Sequence, residues 1–96
     1  MTLTVIATMT AKYGSEGTLH AALADLVEPT LAEAGCLAYR FYIAADRPAS
    51  VAIIEEWTDE AALQRHYGTP HFKAVAAQLD ELLGEPLVVK HYGEIA

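Results

Sequence analysis

Apolar and polar residues alternate over residues 3–11, LTVIATMTA. Leu3, Val5, Ala7 and Met9 fall on one side, and Thr4, Ile6, Thr8 and Thr10 on the other. A period of two with many β-branched residues predicts a strand. KYGSEG at 12–17 is a turn. The period then lengthens. Leu19, Ala22, Leu23, Leu26, Val27, Thr30 and Leu31 recur at helical spacing, which predicts one amphipathic helix over 16–34. Glu16 favours its start, and Gly35 is its stop.

CLAYRFYIAA, 36–45, predicts the second strand. It places Leu37, Tyr39, Phe41 and Ile43 on one face and Cys36, Ala38 and Tyr42 on the other. DRPAS at 46–50 reads as a turn, and VAIIEEW at 51–57 as a third strand paired antiparallel to the second. Thr58 is the expected N-cap of a short helix that ends at Tyr67–Gly68. Thr69-Pro70 opens the next helix, with Phe72, Val75, Ala76, Leu79, Leu82 and Leu83 as its apolar stripe and Gly84 as its end. PLVVKHY, 86–92, is the last strand.

The order β-α-β-β-α-β, with the second helical segment broken at Gly68, is α+β and ferredoxin-like: a split βαβ arrangement around a four-stranded antiparallel sheet. Helices on one face leave the other bare, yet the second strand is bulky on both sides. A second copy of the chain covering that face, a homodimer formed sheet to sheet, is the expected solution.

Composition sharpens this picture. Ninety-six residues make one domain, 1–96, and 53% of them are hydrophobic, more than a small monomer easily covers. The formal net charge is −7, and the six Lys and Arg residues are scattered. Phosphate neutralisation needs a clustered basic surface, so nucleic acid is not an expected partner, and an anionic membrane would repel the chain. There is no signal peptide and no apolar run of membrane-spanning length, which predicts a cytoplasmic protein. Cys36 is the only cysteine and forms no intrachain disulfide.

Candidate chemistry gathers in IIEEWTDEAALQRHYGTPHF, residues 53–72. Glu55 and Trp57 share a strand face. A buried carboxylate needs partners, and so does a buried indole N–H. His66 follows Ala62 and Leu63 by four and three positions, so it shares their inward side. Burial in apolar surroundings keeps a histidine neutral near pH 7, able to accept a phenolic proton. Tyr67 and His71 flank the Gly68 break, and Phe72 begins an apolar stripe. His66 and His71 lie five apart with Gly and Pro between, which is no metal-ligand spacing, and no metal site is expected. No flavin, nicotinamide or phosphate fingerprint occurs, so no cofactor is expected.

Taken together, the opening strand with its glycine turn, EAGCLAYRFY at 33–42, IIEEWTDEAALQRH at 53–66 and TPHFKAV at 69–75 resemble the antibiotic biosynthesis monooxygenase family. That family is a branch of the dimeric α+β barrel proteins. The resemblance spans nearly the whole chain. It implies a cofactor-independent monooxygenase that oxidises a small apolar aromatic, a quinol or polyketide phenol, with dioxygen. His66 would be the catalytic base, and Trp57, Tyr67, Phe72 and Glu55 would bind substrate. Glu55 matches the family's glutamate that precedes the Trp. The family also holds an isomerase and members of unknown activity, so an isomerase using His66 as acid–base, or a dimeric module that only binds a small molecule, are the alternatives. Haem-degrading members carry an Asn in the first strand and an axial His in the last helix. Here Ala7 and Ala76 stand at those positions, and neither can ligate iron or hydrogen-bond dioxygen. Ala7 also lacks the polar group that some cofactor-free members use.

Overall fold

A computed structural model describes residues 2–96. Its elements run β1 (Leu3–Thr10), α1 (Glu16–Leu31), β2 (Cys36–Ala44), β3 (Arg47–Trp57), α2 (Glu60–Tyr67), α3 (Pro70–Leu82) and β4 (Val88–Gly93). The sheet order is β2-β3-β1-β4, with every pairing antiparallel. This is the ferredoxin-like α+β arrangement that the alternating periods predict. None of the described helices is long and apolar enough to cross a membrane.

The helices lie on one sheet face. That face presents Val5, Ala7 and Met9 of β1, Tyr39 of β2, and Val51, Ile53, Glu55 and Trp57 of β3, all buried. Leu19, Leu23 and Leu26 of α1 close over them, each contributing roughly 1.5–3 kcal/mol by leaving water. The outer face carries Ile6, Ile54 and Tyr42 with no described helix against it, and Tyr42, Val88 and Tyr92 each remain 46% exposed.

Four local expectations need correction. The first helix ends at Leu31, not residue 34. Pro29 sits inside it, lacks an N–H and crowds the preceding turn, so the helical ladder gives out within three residues. Gly35 then reverses the chain at φ +87°. In the second strand a bulge at Leu37 breaks the alternation. Cys36 pairs with Trp57 and Tyr39 with Glu55, so Cys36 shares the inner face with Tyr39, while Leu37 is pushed out and 52% exposed. Burial, Glu33 and Glu55 push the Cys36 thiol up to about 11, so it is no nucleophile near neutral pH. The turn after β2 is also shorter than DRPAS, because Ala44 already pairs with Arg47. Pro48 is tolerated there because it lies beyond the end of β1's pairing with β3, and its carbonyl accepts a 2.7 Å bond from His20 Nε2. Finally, Asp59 rather than Thr58 caps α2, its Oδ1 accepting from the Ala62 N–H at 2.9 Å. Thr69 caps α3 as expected, ahead of Pro70.

One core atom is out of balance. Thr30 is fully buried in α1, and its Oγ1 has no hydrogen-bond partner among the described residues. An unsatisfied buried hydroxyl costs about 1–3 kcal/mol. Thr30→Val keeps the shape and removes that cost at similar helix propensity. It is expected to raise the melting temperature by roughly 4–8 °C per kcal/mol recovered. A fall in thermal denaturation would show that the hydroxyl has a partner in solution.

Candidate active site

Between the helices and the inner sheet face lies a cavity of about 70 Å³. The sheet forms its floor through Ala7, Met9, Tyr39, Ile53 and Glu55. Leu23 and Leu26 of α1, Tyr67 of α2, and Phe72, Val75, Ala76 and Leu79 of α3 form its walls, while Leu87 and Val89 edge the β4 side. The α3 contribution follows from spacing: residues three and four apart repeat on one helix face. A wider recess of about 470 Å³ adjoins it, sharing Phe72, Ala76, Leu79 and Leu87. Ala7 and Ala76 both line the cavity.

Among the described residues, Glu55 is the one carboxylate on this apolar surface. Strand alternation aims it inward with Trp57, whose Nε1–H donates to Glu55 Oε1 at 2.9 Å. Burial pushes the Glu55 carboxyl up to about 7; the Trp57 bond opposes that shift and the charge of Glu33 adds to it. The group is thus poised between proton acceptor and proton donor near neutral pH. Burial, with Glu55 next, raises the Tyr39 and Tyr67 hydroxyls, so both stay neutral.

His66 is buried beside Ala62 and Leu63, as its spacing predicts, but it does not line the cavity. Its ring lies behind the wall, with centroids 4.9 Å from Trp57, 5.0 Å from Phe72, 5.7 Å from Tyr39 and 5.8 Å from Tyr67. Burial lowers its pKa, and the bond to Glu33 partly offsets that. His66 Nδ1 lies 2.8 Å from Glu33 Oε2, and His71 Nε2 lies 2.6 Å from the same oxygen. The break at Gly68 and the Thr69 cap turn α3 back, which brings His71 near His66. Glu33, His66 and His71 hold three potential ligand atoms within 4.8 Å of one another.

Of the residues singled out in the sequence, Glu55, Tyr67 and Phe72 meet at the cavity, while Trp57 and His66 stand one layer behind. Sequence reasoning did not single out Glu33. Its partners lie 33 and 38 residues away, and no local period links them.

The sequence profile of the family described as antibiotic biosynthesis monooxygenase matches residues 2–78. Rv0793 of Mycobacterium tuberculosis, provisionally named a monooxygenase, is 35% identical over 85 residues, covering 88% of this chain and 83% of that protein. Its solved structure superposes with a TM-score of 0.94 over 100% of this chain and 97% of that one, at 31% identity. PA3566 of Pseudomonas aeruginosa superposes equally well, with a TM-score of 0.94, 37% identity and coverage of 99% and 95%.

Proposed function

Because the chain belongs to the antibiotic biosynthesis monooxygenase family, we propose that it is a cofactor-independent monooxygenase for a small electron-rich aromatic, a quinol or polyketide phenol. The observation that carries this reading is Glu55. It is a lone carboxylate with a proton affinity near neutrality, facing an apolar cavity. A phenolic substrate in that cavity passes its hydroxyl proton to the Glu55 carboxylate. The resulting anion gives one electron to dioxygen, leaving a phenoxyl radical and superoxide. These combine at a ring CH ortho or para to the phenoxyl oxygen, and the peroxide takes the proton back from the Glu55 carboxyl to give a hydroperoxide on that carbon. Loss of water then leaves a C=O group. One oxygen atom enters the substrate and the other leaves as water. The apolar walls keep solvent from the radical pair.

In this reading Glu55 is the catalytic base, and Tyr67 and Phe72 hold the ring. Trp57 positions Glu55 through its N–H. His66 packs against Trp57, Tyr67 and Phe72 from behind, so it is a positioning residue rather than the group that meets the substrate. The test is oxygen uptake with a panel of quinols and polyketide phenols, using wild type, Glu55→Gln and His66→Asn. Uptake above autoxidation that is abolished in Glu55→Gln and only weakened in His66→Asn is the expected result. Uptake that survives Glu55→Gln and is lost in His66→Asn would return the base to His66. Oxygen-independent turnover lost with Glu55 would point to an isomerase.

The same proposal has residues 1–96 acting as one domain in a homodimer closed through the outer sheet face. Ile6, Ile54 and the exposed Tyr42, Val88 and Tyr92 support it, because an apolar sheet face left in water is unfavourable. Sedimentation equilibrium is expected to give twice the chain mass, and a monomer at micromolar concentration would refute the dimer.

A further inference from the structure

We propose that Glu33, His66 and His71 bind a divalent transition-metal ion of the zinc class. The ion would pin the turn after α1 to the junction of α2 and α3. This goes beyond the catalytic reading and does not rest on it, because none of the three residues lines the cavity.

The donor set is the first argument. Two imidazole nitrogens and one carboxylate oxygen are the combination that borderline divalent ions take in preference to calcium or magnesium. The second argument is convergence. The three residues come from three separate segments, and their ligand atoms meet within 4.8 Å. The third is charge. Both imidazoles approach one oxygen, Oε2, at 2.8 and 2.6 Å, and no Lys or Arg pairs with Glu33 among the described residues. Oε2 therefore has two imidazole nitrogens as its side-chain partners, and Oε1 makes no hydrogen bond among the described residues.

Geometry sets the rearrangement required. Metal–ligand bonds near 2.0–2.1 Å at tetrahedral angles separate ligand atoms by about 3.3 Å. The two nitrogen–oxygen separations must therefore open by roughly half an ångström or slightly more, and the two imidazole nitrogens, held within 4.8 Å of each other, must come to about that same 3.3 Å. The buried His66 ring is fixed by its aromatic neighbours. The Glu33 and His71 side chains, 12% and 26% exposed, have freedom to adjust. Their exposure also gives the ion a way in and leaves a coordination position open to water. Each coordinating nitrogen gives up its hydrogen, and the neutral ring carries its proton on the other nitrogen.

The test uses tag-free protein stripped with a chelator and titrated calorimetrically with zinc chloride, then with cobalt(II) to read visible d–d absorption. Melting temperature is followed with and without zinc. Wild type is expected to take one zinc per chain and to melt higher with it. His71→Ala and Glu33→Gln change partly exposed side chains, and circular dichroism confirms that they fold. Both are expected to bind zinc at least roughly tenfold more weakly. His91→Ala, on β4, is expected to bind as wild type does. Uptake of less than one zinc per chain by wild type, or unchanged affinity in His71→Ala, overturns the site. Either result would leave the three residues as a hydrogen-bonded clasp.

Discussion

Gly35→Ala is expected to destabilise the protein by roughly 3 kcal/mol, a fall of about 10–20 °C in melting temperature. Two independent costs combine at this position. Gly35 has φ +87°, where an L side chain is strained by about 1–2 kcal/mol. A Cβ built there would also stand 2.6 Å from the Ala62 Cβ and 2.8 Å from Thr58 Oγ1. The Thr58 hydroxyl can rotate away. The Ala62 Cβ cannot, because it is attached directly to the backbone of α2 and is itself buried. Relief therefore requires moving α2 away from the turn, which loosens the packing under Leu63 and His66. Thermal unfolding checks the size of the effect. Gly14 is the control: it has the same φ of +87°, but nothing lies within 4 Å of its Cβ position. Gly14→Ala should show the strain cost alone, about 1–2 kcal/mol. If the two variants melt together, the close approach of α2 to Gly35 is wrong.

Glu55→Gln carries the largest effect on activity. Under the proposed mechanism it removes the proton acceptor and keeps a group that can accept the Trp57 N–H bond. Turnover should fall by about 10²–10⁴-fold with little change in KM. In wild type, kcat/KM should rise with pH through about 7, as the carboxyl ionises. Stability should move the other way. The folded state holds this proton up to about pH 7, whereas the free carboxyl releases it near 4.5. Between these values the folded protein binds more protons than the unfolded chain, so stability falls as pH rises across the window. Glu55→Gln has no charge to bury. It should match wild type near pH 4, below both values, and exceed it near pH 8 by a few kcal/mol. Denaturant unfolding at the two pH values measures this difference directly. Equal stability at pH 8 would mean that Glu55 ionises without penalty and that the cavity is wetter than its walls suggest.

The residues of the candidate site differ in how far sequence alone could place them. Glu55 and Trp57 share a face because a strand has period two. His66 turns inward with Ala62 and Leu63 because a helix brings residues three and four apart together. Such inferences need only local geometry. The same logic failed where a single residue changed the geometry. Pro29 shortened α1, and the Leu37 bulge returned Cys36 to the inner face. Which inward residue reaches open space is a different kind of question. Glu55 lines the cavity and His66 does not, because Trp57, Tyr39, Tyr67 and Phe72, drawn from four elements, pack around the histidine ring.

By itself, the sequence determined the order of the elements, the ferredoxin-like sheet and the family resemblance, because short-range periodicity and motif spacing are written along the chain. The tertiary structure alone decided that Glu55 faces the cavity. It alone brought Glu33, 33 residues before His66 and 38 before His71, into contact with both. Contacts of that range are set by how whole elements pack, and packing distances leave no period in the sequence.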